Sequence, residues 1–278
     1  RGYILDLAPG QSLVEHLLAH GFDVYMLDWN APVDAEKHLG LADYAVGFIG
    51  DALARVRVDS GQPDVSLLGY CMGGVLAAIN VALDSAGVAN LVCLTTPVDF
   101  AELGAFSDWS DPAHLDLAAL VAAGNVPVDL LYTAFDRQRP TARLASTIAL
   151  WDRRDDADYV ASHGLLDRWS ADILPLAAAY FGDTIQLLMR DNALLHGRLE
   201  VGGRPVRLAA ITLPFLHVVA ARDQIVPRAA TRPLVTMIGS PDRVEWVLPG
   251  GHVSLLAGAR ARDDLWPRLD HWLAPRSL

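Results

Sequence analysis

The sequence predicts an α/β protein with a mainly parallel sheet. Short apolar runs of strand length alternate with longer segments of helical periodicity, which is the order of βαβ units. The strand-length runs are almost continuously apolar, as is typical of strands covered on both faces. At 278 residues the chain is long enough for one large core and an insertion.

The predicted elements follow one another in a regular order. A helix over residues 12–20 ends at Gly21 and leads into a buried strand over residues 23–28. A second helix covers about residues 41–58. The later elements are strands at residues 65–68, 88–94, 215–220 and 244–248, and helices at residues 75–83 and about 259–273.

This alternation stops between residues 99 and 213, where helical patterns and aromatic residues occur without a series of strands. We interpret this segment as a helical cap inserted into a core formed by residues 1–98 and 214–278. The chain opens on Arg1 inside an organised segment. We therefore expect that upstream strands of the core are missing and that this chain folds poorly by itself.

Composition argues against several classes of protein. The net charge of −11 disfavours a nucleic-acid partner. Two cysteines do not make a disulfide framework, so we expect a reduced, cytoplasmic setting. Residues 65–83 are uncharged and long enough for a transmembrane helix, but the glycine-rich turn in their middle favours a strand followed by a helix. We therefore expect no membrane span.

Residues 69–74 (GYCMGG) are the strongest functional signal. They join a predicted strand to a predicted helix, as the nucleophile elbow of α/β-hydrolases does, with Cys71 where serine is usual. We expect glycines two residues either side of the nucleophile because strand and helix leave no room for side chains there. A sulfur at a helix N-terminus is favoured as the thiolate. The alternative interpretation is a buried cysteine in an ordinary turn.

Two further residues complete a candidate triad. A cysteine nucleophile needs a base, and the base needs an orienting carboxylate, in the chain order nucleophile, acid, histidine. Asp223 and His252 each follow a predicted strand, at the sheet edge where open α/β sheets bind ligands. We predict that they act with Cys71 and that the chain has an α/β-hydrolase fold. The alternatives are a turn or cap residue for Asp223 and a solvated loop histidine for His252.

An oxyanion hole needs two backbone N–H donors. We predict that the residue after the nucleophile, Met72, supplies one. The second usually comes from a loop after an earlier strand, and we expect it upstream of residue 1.

The remaining candidates favour structural interpretations. His217 lies inside an apolar strand and is predicted to be a packed core residue, and Cys93 a small buried hydrophobe. The pair Asp28–Trp29 ends a predicted strand, where structural placement is favoured over substrate contact. The other histidines show no metal-ligand spacing, so we expect no metal site.

The chain resembles polyhydroxyalkanoate synthases, most closely the shorter type that works with a second subunit. The resemblance runs from Tyr3 to the C-terminal helix. It rests on residues 3–7 (YILDL), 23–29 (DVYMLDW), 43–44 (DY), 69–74 (GYCMGG), 96–100 (TPVDF), 124–127 (GNVP), 223–227 (DQIVP) and 249–252 (PGGH).

The resemblance implies that Cys71 is the acylated nucleophile and that Asp223 and His252 complete the site. It implies (R)-3-hydroxyacyl-CoA as substrate, a growing polyester as product, no cofactor, a homodimer or a second synthase subunit, and a location at polyester granules in the cytoplasm. Two departures bear on substrate range and polymerising ability. Gln224 stands where the family often has histidine, and residues 253–255 (VSL) differ from the family's usual isoleucine followed by a small residue.

Two other functions remain open. Dienelactone hydrolases carry a similar cysteine elbow but lack a large cap, and a thioesterase derived from a synthase would keep the same three residues. The third hypothesis is a catalytically silent, granule-associated paralogue. The presence of all three candidate residues argues against that paralogue, since a binding module has no need of them.

Overall fold

The computed structural model describes residues 1–138, 140–258 and 260–277. Its centre is a four-stranded parallel sheet in the order β1-β2-β5-β6. The sheet strands are β1 (Val65–Tyr70), β2 (Val88–Leu94), β5 (Phe215–Ala220) and β6 (Arg243–Leu248), and a separate antiparallel hairpin is formed by β3 (Glu200–Val201) and β4 (Arg204–Pro205).

Helices cover both faces of this sheet and fill the segment between β2 and β5. The α-helices are α1 (Leu13–Ala19), α2 (Ile49–Ser60), α3 (Met72–Leu83), α4 (Ala105–Ser110), α5 (Leu117–Ala123), α6 (Val128–Gln138), α7 (Ala142–Asp152), α8 (Ala157–Ser170), α9 (Ala178–Asp183), α10 (Arg228–Thr231), α11 (Pro233–Met237) and α12 (Trp266–Leu273). Wider π-helical turns precede α2 (Asp43–Phe48), follow α9 (Thr184–Arg190) and precede α12 (Ala261–Leu265).

Alternate residues of the central strands enter different cores. In β2, Leu91 and Cys93 join a cluster that includes most of α3, while Val92 and Leu94 join a cluster that includes α1 and α12. This two-sided burial explains why the strands are apolar at nearly every position. The α/β class, the mainly parallel sheet and its four predicted strands are confirmed.

The predicted strand over residues 23–28 is wrong. This segment forms no strand in the described structure, and its Tyr25, Met26 and Leu27 side chains are 45%, 41% and 42% exposed. A strand is stabilised by its ladder of hydrogen bonds to a neighbour. The apolar run has the composition of a strand, but no described strand pairs with it.

The observed boundaries of three helices differ from the predicted ones. The helix predicted at residues 75–83 begins at Met72, because Cys71 is its N-cap residue. The helix predicted to end near residue 58 continues to Ser60, where Gly61 takes the left-handed conformation (φ 71°) that stops helices. The helix predicted from residue 259 is found over 261–273, and residue 259 itself lies outside the described residues.

Residues 99–213 contain α4–α9 and the β3–β4 hairpin. They build a third apolar cluster, in which Trp109, Val126 and Phe181 are buried. The base of this segment is fixed by Asn192, which donates to Asp99 Oδ1 (2.7 Å) and accepts from the Phe100 N–H (3.0 Å). The division into a core and a separate cap stays a prediction. Across the described residues, no helix combines the length and apolarity needed to cross a membrane.

Candidate active site

The turn between β1 and α3 holds Cys71 in a strained conformation. Cys71 has φ 54° and ψ −122°, outside the regions that non-glycine residues usually adopt. Its N–H donates to the Leu94 carbonyl (2.8 Å), and its carbonyl accepts from the Gly74 N–H (3.0 Å). The turn is therefore fixed by β2 on one side and by α3 on the other. Backbone strain of this kind persists where surrounding structure enforces it, as at functional sites.

The glycines around Cys71 have different reasons to be glycine. A Cβ on Gly69 would lie 2.5 Å from the Gly74 Cα and 2.6 Å from the Gly73 carbonyl oxygen, and a Cβ on Gly74 would overlap the Thr96 side chain. A Cβ on Gly73 would meet nothing within 4 Å. The expectation of crowding two residues either side is thus confirmed for Gly69 and wrong for Gly73. The crowded helix position is one residue later, at Gly74.

We expect Gly69→Ala to destabilise the protein by several kcal/mol, since the new methyl group would meet backbone atoms that cannot rotate away. Gly73→Ala is the matched control, because it adds the same atom in open space on a helix. Denaturant unfolding of both variants measures the difference. Equal stability of the two variants would contradict the packing described for the elbow.

Asp223 and His252 are hydrogen-bonded to each other. His252 Nδ1 lies 2.7 Å from Asp223 Oδ2, and the exposed fraction of the Asp223 side chain is only 1%. The other carboxylate oxygen, Oδ1, accepts from the backbone N–H groups of Ile225 (2.9 Å) and Val226 (2.8 Å). Both oxygens are therefore committed, and the carboxylate holds His252 in one orientation. The predicted loop positions bring these two residues together, as expected from neighbouring strand ends.

Cys71 interacts with the same histidine ring. Burial by itself lowers the pKa of His252, but the negative charge of Cys71, the hydrogen bonds that the ring donates to Asp223 and Cys71, and the charge of Asp223 outweigh burial and raise the pKa to about 9. Nδ1 is used by Asp223, so Nε2 remains for the sulfur. Cys71 itself is partly exposed, whereas His252 is buried. The three predicted residues thus form one connected group.

This arrangement predicts a specific pH dependence. His252 has a folded-state pKa of about 9 against an ordinary value of 6.5, so its contribution to stability is complete below pH 6.5 and is lost as pH rises through 9. We expect NMR titration of the ring to give a midpoint near 9. Cys71→Ala removes the charge on sulfur and should lower that midpoint, while Cys93→Ala should not. A wild-type midpoint near 6.5 would show that no ion pair forms.

Met72 is the first residue of α3. Its backbone N–H is one of the donors that a helix leaves without an intrahelical acceptor, in the position next to the sulfur. The role of Met72 as an oxyanion donor stays a prediction. The second donor, expected upstream of residue 1, stays a prediction.

Four aromatic residues near Cys71 received no firm role from sequence. The Tyr70 ring lies 4.8 Å from the His252 ring, and its hydroxyl donates to the His252 carbonyl (3.4 Å). The Tyr180 ring packs at a tilt against the Tyr44 ring (centroids 4.6 Å apart), which contacts the Trp29 ring (5.3 Å). Burial raises the pKa of Tyr180, and the charge of Cys71 adds to that rise, so Tyr180 lies within electrostatic reach of the sulfur. Tyr180 is one of the aromatic residues noted between residues 99 and 213, but the sequence did not predict that it lies near Cys71.

The residues interpreted as structural pack in or against the protein core. Cys93 is fully buried, and burial raises the pKa of its thiol to about 12. His217 is also fully buried, as predicted, with its Nδ1 3.3 Å from Glu245 Oε2 on the neighbouring strand. The sequence did not identify Glu245 as its partner. Trp29 packs against the core formed by α3, consistent with the structural interpretation.

Comparison with known proteins places this site in a family. A family model described as the alpha/beta hydrolase fold matches residues 5–259. Two solved structures share the fold at 15% identity. A monoacylglycerol lipase from Paleococcus ferrophilus has a TM-score of 0.58 and covers 95% of this chain and 88% of its own. A thermophilic esterase from Thermogutta terrifontis has a TM-score of 0.55, with coverage of 100% and 86%.

The comparison with curated sequences identifies a narrower family. A protein of Allochromatium vinosum named poly(3-hydroxyalkanoate) polymerase subunit PhaC is 34% identical over 99% of this chain and 78% of its own length. The chain belongs to the poly(3-hydroxyalkanoate) polymerase family. A polymerase subunit of the same name from Haloferax mediterranei is 31% identical over the whole chain and 57% of its own length. The chain therefore spans 78% of the length of the first of these polymerases and 57% of the length of the second.

Membership of the polymerase family confirms the resemblance inferred from the motifs, and the alpha/beta hydrolase match confirms the predicted fold class. Neither comparison assigns a role to an individual residue of this chain.

Proposed function

We propose that this chain polymerises (R)-3-hydroxyacyl-CoA into a polyester, with Cys71 as the acylated nucleophile. The observation that carries the proposal is the connected group itself. A partly exposed cysteine at a strained helix N-terminus interacts with a histidine whose other ring nitrogen is 2.7 Å from a buried carboxylate. This is the arrangement of an activated nucleophile, a base and an orienting group.

In the first step the Cys71 thiolate attacks the carbonyl carbon of the thioester. The negative oxygen that develops is stabilised by the Met72 N–H. The carbon–sulfur bond to CoA then breaks, and the CoA thiolate takes the proton from His252 Nε2. The products are free CoA and an acyl group bonded to Cys71. The exchange is between two sulfur groups of similar basicity, which suits a cysteine nucleophile better than a serine.

In the second step the 3-hydroxyl of another acyl unit attacks the acyl group on Cys71. His252, now neutral, accepts the hydroxyl proton at Nε2. The new ester bond forms as the carbon–sulfur bond breaks, which regenerates the Cys71 thiolate beside a protonated His252. Each cycle lengthens the polyester by one unit and returns the site to its starting charge state.

Asp223 orients His252 in this proposal. The acid of such a group can either position the histidine or activate the substrate hydroxyl directly. The orienting role is supported by its hydrogen bonds, since one oxygen serves His252 and the other serves two backbone N–H groups. With 1% exposure, the side chain has no free lone pair presented to substrate.

Polymerisation requires that water be kept from the acyl group on Cys71. Trp29, Tyr44 and Tyr180 are linked by ring contacts, and the charge of Cys71 acts on Tyr180, so this aromatic group is our candidate for an apolar wall near the sulfur. We propose that this wall and residues 99–213 exclude water. The CoA thioester is the substrate, and no cofactor is needed for either step.

We further propose that the protein works at the surface of polyester granules in the cytoplasm, as a homodimer or with a second synthase subunit. A helical stripe of exposed apolar side chains supports contact with an apolar surface. Leu144, Ile148 and Trp151 of α7 are 63%, 53% and 69% exposed and share one face of the helix.

The decisive experiment is incubation of the protein with (R)-3-hydroxybutyryl-CoA. We expect CoA release together with polyester that sediments and yields 3-hydroxybutyrate units on methanolysis. Release of CoA with free 3-hydroxy acid as the sole product would instead identify a thioesterase. Absence of CoA release, from protein shown to be folded, would favour a silent granule-associated paralogue.

A further inference from the structure

Helices α1 and α12 pack against each other and bring together three side chains that offer metal ligands. His16 lies on α1, His20 follows its last turn, and Asp270 lies on α12. One ligand atom from each lies within 4.8 Å of the other two. The two imidazole rings are tilted by 32° to each other, with their centroids 4.2 Å apart. None of the three belongs to the group around Cys71.

The hydrogen bond of His20 fixes which of its nitrogens carries the proton. Its Nδ1 is 2.7 Å from the His16 backbone carbonyl oxygen, which only accepts, so Nδ1 carries the hydrogen. In the neutral ring Nε2 is then a lone pair, and it lies 3.7 Å from Asp270 Oδ2. A cation between these two acceptor atoms would be attracted by both of them.

His16 also has a ring nitrogen without a hydrogen-bond partner in the described part of the chain. Its Nε2 is buried and has no hydrogen-bond partner among the described residues, so a cation could bind to this nitrogen without displacing another partner. A buried polar nitrogen without a partner is a cost to folding that a bound cation would remove.

We propose that His16, His20 and Asp270 bind a divalent transition metal, with Zn²⁺ as the best match. Two imidazole nitrogens and one carboxylate oxygen are ligands that Zn²⁺ accepts, and water supplies the fourth position. Hydrogen bonds from ligating histidines to backbone carbonyls are the usual way of orienting such rings. The metal ties the first α-helix to the last one.

This proposal departs from the sequence-based expectation of no metal site. His16 and His20 are four residues apart, which places them on one helix face, but such pairs are common without a metal. The third ligand is distant in the chain and was not paired with them. Only the contact between α1 and α12 supplies it.

The test is calorimetric titration of Zn²⁺ into the full chain carrying Cys71→Ala, which removes the partly exposed thiol as a competing ligand. We expect one equivalent to bind and the unfolding temperature to rise with zinc concentration. Mg²⁺ should give neither effect, because imidazole ligands disfavour it. Asp270→Asn, which keeps the shape of the side chain, should weaken zinc binding by at least about tenfold.

His16→Ala and His20→Ala should abolish the zinc-dependent rise in unfolding temperature. His271→Ala is the matched control, since it removes an exposed histidine from the same helix α12 and should leave zinc binding unchanged. Hydrogen exchange should slow in residues 13–19 when zinc is added. Failure to bind zinc, or binding that survives both Asp270→Asn and His20→Ala, would overturn the proposal.

Discussion

Replacement of Cys71 by alanine should lower the rate of CoA release from (R)-3-hydroxybutyryl-CoA by about 10⁴-fold or more. The loss is this large because the acyl group has no other acceptor in the proposed site. The fold should survive, since Cys71 is partly exposed and its backbone bonds to Leu94 and Gly74 do not involve the sulfur. Mass spectrometry should detect an acyl group on wild-type Cys71 and none on the variant.

Cys93→Ala is the matched control for this experiment. Cys93 is the other cysteine of the chain, and its thiol is buried and held neutral by its raised pKa. Its loss should cost some stability through a small cavity but leave the rate of CoA release nearly unchanged. Substantial activity in Cys71→Ala, or acylation of Cys93, would refute the assignment of the nucleophile.

Asp223→Asn should lower the same rate by about 10⁴-fold without unfolding the protein. The reason lies in the hydrogen bonds around the side chain. Oδ1 accepts from two backbone N–H groups, so the asparagine oxygen must stay there and its NH₂ group must face His252. That NH₂ group donates, which forces His252 Nδ1 to accept and moves the proton to Nε2. His252 then has no lone pair left for the reacting hydrogen.

Asp242→Asn provides the control for Asp223→Asn. Asp242 also accepts charged hydrogen bonds, from Arg276, but it lies directly before β6, whereas His252 follows the end of that strand. Its effect should be a small change in stability. A normal rate in Asp223→Asn would mean that the acid does not control the histidine tautomer. An NMR spectrum showing the Nε2–H tautomer would support the stated cause.

The site and most of the sheet could be predicted because their signals are local. Residues 69–74 specify a strand-to-helix turn through the sizes of adjacent residues, and Asp223 and His252 each follow a strand that its own composition reveals. Parallel strands meet at one edge, so their following loops converge without further information. The order of the motifs along the chain was therefore sufficient to predict that these three residues lie close together.

Other features depended on contacts that the sequence does not record. The run at residues 23–28 has the composition of a strand, yet a strand exists only through a partner, and it has none in the described sheet. The contact of Tyr180 with the surroundings of Cys71 brings together residues more than a hundred positions apart. The same is true of Asp270 and His16.

By itself the sequence determined the α/β class, the elbow, the three candidate residues of the site and the family, because each is expressed by neighbouring residues or by their order. The tertiary structure decided which glycine of the elbow is crowded, which aromatic residues surround the sulfur, and which side chains meet between α1 and α12. Those features are distances between distant parts of the chain, and they are set by packing of the whole core rather than by any one segment.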